Sequence, residues 1–518
     1  MLNILSKKLI TIYAAFLLIN AQLYAADNLT IEPTVSVGAG YSDNLEKESE
    51  KESIEEKSSY ISEVSPGLLI SKKGSHVQGN LNYKLNSFAY SNKDLDKKTQ
   101  VNHNLTANLD SKINEVLFLD LKANITQELI DKTKIDTRQS NKTGVDNLTE
   151  TYSFNINPRW EQRWGGLLKT NLSFNYNQLA FDNSSTDIPT NDSKQKQAQL
   201  SIMNGDDFRR LTWNLSGSFS QTDYENELTP SSEVTLANFL IAYQFNDLIQ
   251  LNAQIGYEEY NQDIDNQDNN TEDDDGVNSN IGFVWTPSHK NKLGVSVGNR
   301  FYGKTYQYFY QFQGDRAKIK FEYNESITNS RDQLLSGTNN NNDLSTQLIN
   351  QTTTNLFLSK RINAEYVYSF KHIEVILNSY NEKRSFSKLS QDEVVIGEKA
   401  SIRLNNKKSV YKLSANYEDR DIPVESQFGR TYGADLSWDL KIGKRTNSNL
   451  LLSWTKQNNN LNKQLENIYL YEIDWSLKRR LSKELNGEIS LTRQKIKSSN
   501  IAESYIENVI FINLSKTF

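Results

Sequence analysis

The C-terminal segment of this chain alternates apolar and polar residues and ends on an aromatic side chain. Ile510, Ile512 and Leu514 occupy every second position, Phe518 has the same parity, and the residues between them, such as Asn513, are mostly polar. A period of two predicts a β-strand with one apolar face and one wet face. A terminal aromatic residue on such a strand is the usual ending of a bacterial outer-membrane β-barrel, which constrains the fold class before the rest of the chain is considered.

The N-terminus has the pattern of a secretory signal peptide. Lys7 and Lys8 supply a basic start, Leu9 to Ile19 supply an apolar core, and Ala25 ends a small-residue cleavage site. The apolar run is shorter than the roughly 18 residues that a retained membrane helix, the alternative, would need. We therefore predict cleavage after Ala25, or one residue later.

Alternating segments recur throughout the remaining chain, and no long helical pattern interrupts them. In two clear examples the apolar face carries Leu117, Leu119, Leu121, Ala123 and Ile125, and Tyr432, Ala434, Leu436, Trp438, Leu440 and Ile442. Short segments rich in Asn, Asp and Gly alternate with longer polar connections, as periplasmic turns and extracellular loops do in a barrel. The aromatic residues expected to point to lipid are Trp438, Tyr432, Trp475 and Tyr469.

The sequence thus predicts an all-β fold: a transmembrane antiparallel up-and-down β-barrel of about 24 strands, within a range of 20 to 26. The predicted strands begin near residues 28, 60, 76, 101, 116, 149, 166, 195, 209, 234, 247, 276, 292, 305, 316, 354, 372, 393, 409, 428, 447, 466, 484 and 504. Residues 1–25 form the signal peptide and residues 26–518 a single barrel domain with long polar extracellular loops. The strand assignment is weakest around residues 306–312, where the pattern fits either one hairpin or a single long strand. A soluble multi-domain β-sandwich is the alternative architecture, and the missing Pro/Gly/Ser linkers oppose it.

Composition excludes several classes of function. The chain contains no Cys, so it forms no disulfide and no thiolate metal site. Its net charge of −6 does not fit a nucleic-acid-binding protein, for which a clustered basic face is expected. The acidic run Asn261–Asp275 suggests a divalent-cation loop, but it lacks the spacing of an EF-hand, and a solvated loop is the preferred interpretation. We predict no metal and no cofactor.

Catalysis is also not expected. The chain has four His residues, and three of them fall at predicted short turns that are far apart in strand order. A barrel hydrolase needs a His–Ser–Asn/Asp grouping on neighbouring strands near the outer rim. His103 alone lies toward that rim, and the alternation points it away from Asn102 and Asn104. We predict no catalytic residue and no enzyme.

Charges of both signs fall on the predicted inner faces. The candidate lumen-facing residues are Arg300, Lys318, Lys320, Asp435, Asp439, Glu472 and Asp474. No ladder of a single sign appears, so the predicted lumen is polar with little charge selectivity, or is filled by its own side chains and loops. Because a wide open pore would leak small solutes, an occluding loop is expected, and Ser326–Gln351 is the longest candidate.

Two stretches resemble a known family. A Trp285-Thr286-Pro287-Ser288 turn is followed by Gly298-Asn299-Arg300-Phe301-Tyr302-Gly303-Lys304-Thr305-Tyr306 and by Tyr323-Asn324-Glu325-Ser326-Ile327-Thr328. This pattern resembles the central signature of the outer-membrane β-barrel family associated with the PEP-CTERM/exosortase system. Lys304 stands where Asn is common in that family, and Tyr302 is an aromatic exchange. Tyr41-Ser42-Asp43-Asn44 and Tyr505-Ile506-Glu507-Asn508 are similar to the family's first and last strands.

The resemblance implies a function in exopolysaccharide production, because the family usually lies near genes of that pathway. It implies a passive conduit or scaffold in the export or assembly of a surface polysaccharide, in the outer membrane of a Gram-negative bacterium. Expected partners are outer-membrane lipid, polysaccharide-export proteins and the barrel-assembly machinery, for which Phe518 on the last strand is the terminal insertion signal; nucleic acid is not expected. Arg300 is either a transport residue or a packed interior Arg at a barrel corner. The alternative function is a general porin or a structural barrel with unrelated cargo.

Overall fold

The fold of the chain is seen in a computed structural model. It describes residues 29–47, 57–95, 98–129, 148–182, 192–225, 231–262, 275–329, 331, 356–385, 392–422, 427–461, 464–499 and 504–518. The predicted signal peptide, residues 1–25, lies outside this part of the chain. Among the described residues, no helix has the length and apolar character needed to cross a membrane.

Nearly all of the described residues belong to β-strands. They are β1 Leu29–Ser42, β2 Ser59–Lys73, β3 Val77–Tyr90, β4 Thr99–Lys112, β5 Leu117–Leu129, β6 Leu148–Trp164, β7 Leu168–Asp182, β8 Ser193–Asn204, β9 Leu211–Tyr224, β10 Ser232–Gln244, β11 Ile249–Gln262, β12 Asp275–Ser288, β13 Asn291–Arg300, β14 Gly303–Gln313, β15 Ala317–Thr328, β16 Phe357–Phe370, β17 Ile373–Ser385, β18 Asp392–Asn405, β19 Ser409–Ile422, β20 Gln427–Lys441, β21 Thr446–Leu461, β22 Gln464–Arg480, β23 Leu485–Ser498 and β24 Tyr505–Thr517. Each predicted strand start lies within three residues of an observed one.

The strands form one closed antiparallel barrel. Each strand pairs with its neighbours in sequence, and β1 pairs with β24 to close the sheet, with Thr34 opposite Thr517. The backbone N–H of Phe518 extends this seam by donating to the carbonyl of Pro33 at 2.9 Å. Closure satisfies the backbone groups that an open edge strand would leave unpaired in lipid. The predicted fold class and strand number are confirmed, and β13 and β14 are two separate strands rather than one.

Exposed apolar side chains identify the outer face. On β24, Ile510, Ile512 and Leu514 are 45%, 51% and 42% exposed, whereas the alternate residues Glu507 and Phe511 are 2% and 1% exposed. Paired residues share a face, so the strand register carries this assignment around the barrel. An apolar outer face is the surface that a bilayer requires.

Aromatic side chains lie at two levels on this outer face. Nearer the chain termini, Tyr411 stacks on Trp438 with ring centroids 5.9 Å apart. Farther from the termini, Tyr417 packs against Tyr432 at 5.1 Å. The residues predicted to point to lipid, Trp438, Tyr432, Trp475 and Tyr469, all lie on the outer-face register. Two aromatic levels are typical of the interfacial girdles of membrane barrels.

The two ends of the barrel differ. At the end that carries the chain termini, connections such as 289–290 and 371–372 are short, whereas at the opposite, distal end β1 and β2 are joined by 43–58 and β15 and β16 by 329–356. The predicted occluding loop therefore begins later than expected, because Ser326 still belongs to β15. Most of this loop lies outside the described residues.

Burial of inner-face side chains is concentrated toward the distal end. Ser59 and Glu63 near the start of β2, and Tyr380 and Glu382 near the end of β17, are less than 9% exposed. Glu374, at the terminal end of β17, is more accessible. Much of the distal inner wall is therefore covered, which an open, water-filled tube would not produce.

Candidate functional site: the barrel lumen

The predicted lumen-facing acids of β20 and β22 lie on the inner face. Asp435 accepts a hydrogen bond from Ser453 Oγ at 2.6 Å, and Asp474 accepts one from Thr492 Oγ1 at 2.6 Å. Glu472 is 4% exposed and points the same way. The carboxylates of Asp435 and Asp474 are each bound by a hydroxyl group of the next strand, which reduces the cost of placing them in the wall.

The other predicted lumen-facing residues lie apart from Asp435, Glu472 and Asp474. Asp439 lies nearer the terminal end and accepts a hydrogen bond from Asn449 Nδ2 at 2.5 Å. Lys318 and Lys320 are inner-face residues of β15, and Lys320 Nζ is 3.2 Å from a carboxylate oxygen of Glu322. The predicted set is therefore distributed around the wall from β13 to β22 and does not converge on one point.

Arg300, at the distal end of β13, is engaged within the wall. Its Nε and Nη2 donate to the carboxylate oxygens of Glu258 at 2.8 and 2.5 Å. Nη2 also donates to the Tyr260 hydroxyl at 2.9 Å, and Nη1 donates to the Tyr302 hydroxyl at 3.0 Å. The Glu258 side chain is 2% exposed and that of Arg300 19% exposed. A bidentate, charge-assisted pair of this kind is among the strongest side-chain contacts.

At the family-like signature around Arg300, two short strands are joined by a short loop, so the distal rim of the barrel is low there. Phe301 and Tyr302 are the whole loop between β13 and β14, which have only 10 and 11 residues. Gly303, the partner of Arg300, has a φ of +116°, which residues with a Cβ rarely adopt. The signature thus encodes a tight hairpin whose base is fixed by the Arg300–Glu258 pair.

Glu325, in the second part of the signature, was not singled out by the sequence analysis. It lies on the outer-face register of β15 and is 4% exposed. The Tyr323 hydroxyl donates to it at 2.7 Å, and Lys360 Nζ lies 3.6 Å from its second oxygen. Its position after Tyr323 in a Tyr-x-Glu pattern was the only signal in the sequence, because both residues of such a pattern share a face.

A buried charged cluster covers the distal inner wall of β16 to β19. Arg384 donates to Glu382 at 2.9 Å and to Glu393 at 3.4 Å, and Arg420 also donates to Glu393. Glu382 also accepts a hydrogen bond from Ser359 Oγ at 2.6 Å. Arginines and glutamates alternate here, so each charge lies beside one of opposite sign. No local sequence pattern predicts this cluster, because strand register brings its members on β16 to β19 together.

The inner wall of β7 to β9 has a different composition. Between Asn171 and Asn177 on β7, Ser193 and Ser201 on β8, and Asn214 and Thr222 on β9, every inner-face residue is Asn, Gln, Ser or Thr. We call this surface the neutral wall. Its members are Asn171, Ser173, Asn175, Asn177, Ser193, Gln195, Gln197, Gln199, Ser201, Asn214, Ser216, Ser218, Ser220 and Thr222. Its side chains are all uncharged hydrogen-bond donors and acceptors.

The neutral wall is arranged in rows by the strand register. One row pairs Ser173 with Gln199 and Gln199 with Ser218; the next pairs Asn171 with Ser201, which in turn pairs with Ser216. Most of these side chains are partly exposed, and Gln199 is exposed. The rows follow one another along the barrel axis, so the wall presents a continuous hydrogen-bonding surface to the lumen.

Arg331, in the connection between β15 and β16, donates hydrogen bonds to the distal end of the neutral wall. Its Nε donates to Ser193 Oγ at 2.7 Å, Nη1 to Gln195 Oε1 at 3.0 Å, and Nη2 to Asn177 Oδ1 at 2.6 Å. Arg331 is 5% exposed. This residue belongs to the connection that the sequence predicts as an occluding loop, and no local pattern identified its partners.

The described residues contain no arrangement typical of catalysis or metal binding. His103 faces outward with its Nδ1 3.0 Å from the Tyr83 hydroxyl, and its backbone N–H donates to Glu150. Within the described ranges, no group of His, Cys, Asp and Glu side chains is placed to hold a metal ion. The acidic run at 263–274 lies outside them.

Solved structures with a similar fold include siderophore receptors and an iron transporter. The siderophore receptor PirA from Acinetobacter baumannii has a TM-score of 0.52 and 8% identity, covering 94% of this chain and 81% of that one. The FrpB iron transporter from Neisseria meningitidis (F5-1 variant, apoprotein form) has a TM-score of 0.50 and 11% identity, covering 95% and 82%. The siderophore receptor PiuA from Acinetobacter baumannii has a TM-score of 0.50 and 9% identity, covering 94% and 82%. The chain is an outer-membrane β-barrel.

These identities establish the fold alone and say nothing of cargo. No family model and no curated protein matches the sequence. The resemblance to the PEP-CTERM/exosortase-associated family therefore stays a prediction.

Proposed function

We propose that this barrel acts in the export or assembly of a surface polysaccharide, as a passive conduit or scaffold. The observation that carries the proposal is the neutral wall, a surface of amides and hydroxyls that extends over three strands and faces the lumen. Such groups both donate and accept hydrogen bonds, as the hydroxyl groups of a glycan do. The signature from Gly298 to Thr328 supports the same function through the family that it resembles.

A general porin is the competing function, and the covered part of the distal inner wall argues against it. Inner-face groups such as Glu63 and Glu382 are 4% and 0% exposed, and Arg331, itself 5% exposed, is bound to Ser193 and Asn177 of the wall. A general porin keeps a water-filled channel along its whole length. The described wall instead fits a barrel whose passage is controlled or whose interior is a scaffold.

A chromosomal deletion, complemented by the wild-type gene, tests this proposal. We expect the deletion strain to lose surface polysaccharide while its outer membrane keeps its permeability to small solutes, measured by influx of a chromogenic β-lactam. Normal surface polysaccharide together with reduced influx in the deletion strain would support the porin and reject the proposal.

A further inference from the structure

Resting on the proposed function, we infer that the neutral wall is the binding surface for the polymer and that this polymer is an uncharged, hydroxyl-rich glycan. The wall and the charged cluster divide the lumen chemically. On β8 and β9 the inner face carries no ionisable side chain from Ser193 to Ser201 or from Asn214 to Thr222. A polymer carrying carboxylates or sulfates would be recognised by Arg or Lys, which give the strong charge-assisted contacts.

Several charged groups of the distal lumen are already bound, some to one another and Arg331 to the neutral wall itself. Arg300 is held by Glu258, and Arg384 is held by Glu382 and Glu393. Releasing any of these to bind an anionic ligand would leave its buried partner uncompensated, which is strongly unfavourable. The neutral wall is thus a surface on which a solute can form hydrogen bonds without breaking an ion pair.

Two features indicate that side chains of the wall can meet a ligand in the lumen. Gln199, in the middle of the wall, is exposed, and most of its neighbours in the wall are partly exposed. Arg331 already uses Asn177, Ser193 and Gln195 as acceptors, so these groups are directed into the lumen and bind a donor presented from inside it.

The row geometry favours a polymer over a single sugar. Adjacent strands are about 4.8 Å apart and alternate residues of one strand about 7 Å apart, so the wall offers hydrogen-bonding groups at many points along an extended chain. Each hydrogen bond exposed to water is worth little, but contacts to linked units add through effective concentration. Binding strength should therefore increase with the length of the oligosaccharide.

The test measures binding of uncharged dextran oligosaccharides to the purified barrel in detergent, with carboxymethylated dextran of the same size as the anionic probe. We expect wild type to prefer the uncharged probe and to bind longer fragments more tightly. Ser218→Asp, in the middle of the neutral wall, should weaken that binding by about fivefold or more, the loss expected for one hydrogen bond. The near-isosteric Gln199→Glu, in the same row, should act in the same direction.

Ser437→Asp is the matched control. Ser437 is an inner-face residue of β20 opposite Lys412, so the same charge is placed on another part of the lumen beside a cation. We expect this variant to bind the uncharged probe within twofold of wild type. Heat-modifiable migration in gels establishes that each variant is folded, and Gln199→Glu keeps the test valid if Ser218→Asp does not assemble.

Equal loss of binding in Ser218→Asp and Ser437→Asp, or tighter binding of the anionic probe by wild type, would overturn the inference. The result for binding to the neutral wall can be distinguished from the result for the proposed export function. If the deletion strain loses surface polysaccharide but the purified barrel does not distinguish the two probes, the inference fails and the function stands. If the wall binds the uncharged probe and the deletion strain exports normally, the function fails and the binding surface stands.

Discussion

Arg300 on β13 and Glu258 on β11 form a bidentate ion pair across the intervening strand β12. The two contacts measure 2.8 and 2.5 Å, and the Glu258 side chain is 2% exposed. Where β12 passes beneath the pair, Glu258 is opposite Gly276, which has no side chain to obstruct it. The pair joins three strands at the base of the Phe301–Tyr302 hairpin, so the family-like signature has a structural reason independent of any cargo.

Arg300→Ala should destabilise the barrel by about 3–5 kcal/mol, because it leaves the Glu258 carboxylate buried without its cation. The measurement is the temperature at which the folded form is lost in heat-modifiable gels, calibrated by urea unfolding in detergent. Arg300→Ala combined with Glu258→Gln should recover part of the loss, since the unpaired charge is then removed. A single variant as stable as wild type would show that the pair contributes nothing.

Removing Phe518 should impair assembly in cells more than it lowers the stability of the refolded barrel. Phe518 is 61% exposed and contributes one backbone hydrogen bond, to Pro33, so little packing is lost. The readout is the fraction of heat-modifiable protein in outer membranes compared with that after refolding in detergent. Phe518→Tyr, which keeps a terminal aromatic residue, serves as the control. Equal defects in cells and in detergent would reject the assembly role.

Trp438 and Trp475 should be in contact with lipid acyl chains, because both lie on the outer-face register. In bilayers containing brominated lipids, their fluorescence should be quenched strongly. Subtracting the spectra of Trp438→Phe and Trp475→Phe from that of wild type isolates each signal. Quenching of these residues by aqueous iodide in place of brominated lipid would reverse the face assignment of β20 and β22.

Arg331→Ala should expose the distal end of the neutral wall. Ser193, now 2% exposed, is covered in part by the Arg331 guanidinium. Because the chain has no Cys, Ser193→Cys provides a single reporter thiol. A water-soluble maleimide should modify it several times faster when Arg331→Ala is also present, whereas Ser218→Cys should react at the same rate in both backgrounds. An unchanged rate at Ser193→Cys would show that Arg331 does not cover the wall.

Local alternation was sufficient to predict the strands and their faces. Period-two patterns and turn residues depend on neighbouring residues only, so strand starts and the inward parity of Asp435, Asp474 and Arg300 follow from the sequence. The partners of these residues do not follow, because they lie on other strands. Glu258 is 42 residues from Arg300 and Arg331 is 154 residues from Asn177, and only the closed register brings them together.

The inner-face composition of neighbouring strands was also inaccessible to local patterns. The neutral wall becomes visible only when the residues of β7, β8 and β9 are placed in register, since each strand alone looks like an ordinary half-polar strand. The apolar inner residues Val509 and Phe511 of the last strand were likewise missed. They pack against Ile61 and Phe88 inside the barrel, where the sequence pattern predicts a polar face.

The claim that this barrel acts in the export or assembly of a surface polysaccharide is tested most directly by pulse-chase labelling of newly made polysaccharide in living cells. Cells are pulse-labelled with a radioactive sugar, and polymer is then quantified at the cell surface and in the periplasm of wild-type, deletion and complemented strains. We predict that the deletion strain accumulates labelled polymer in the periplasm and that the wild-type gene restores its arrival at the surface. Equal rates of arrival in wild-type and deletion strains would contradict the proposed function.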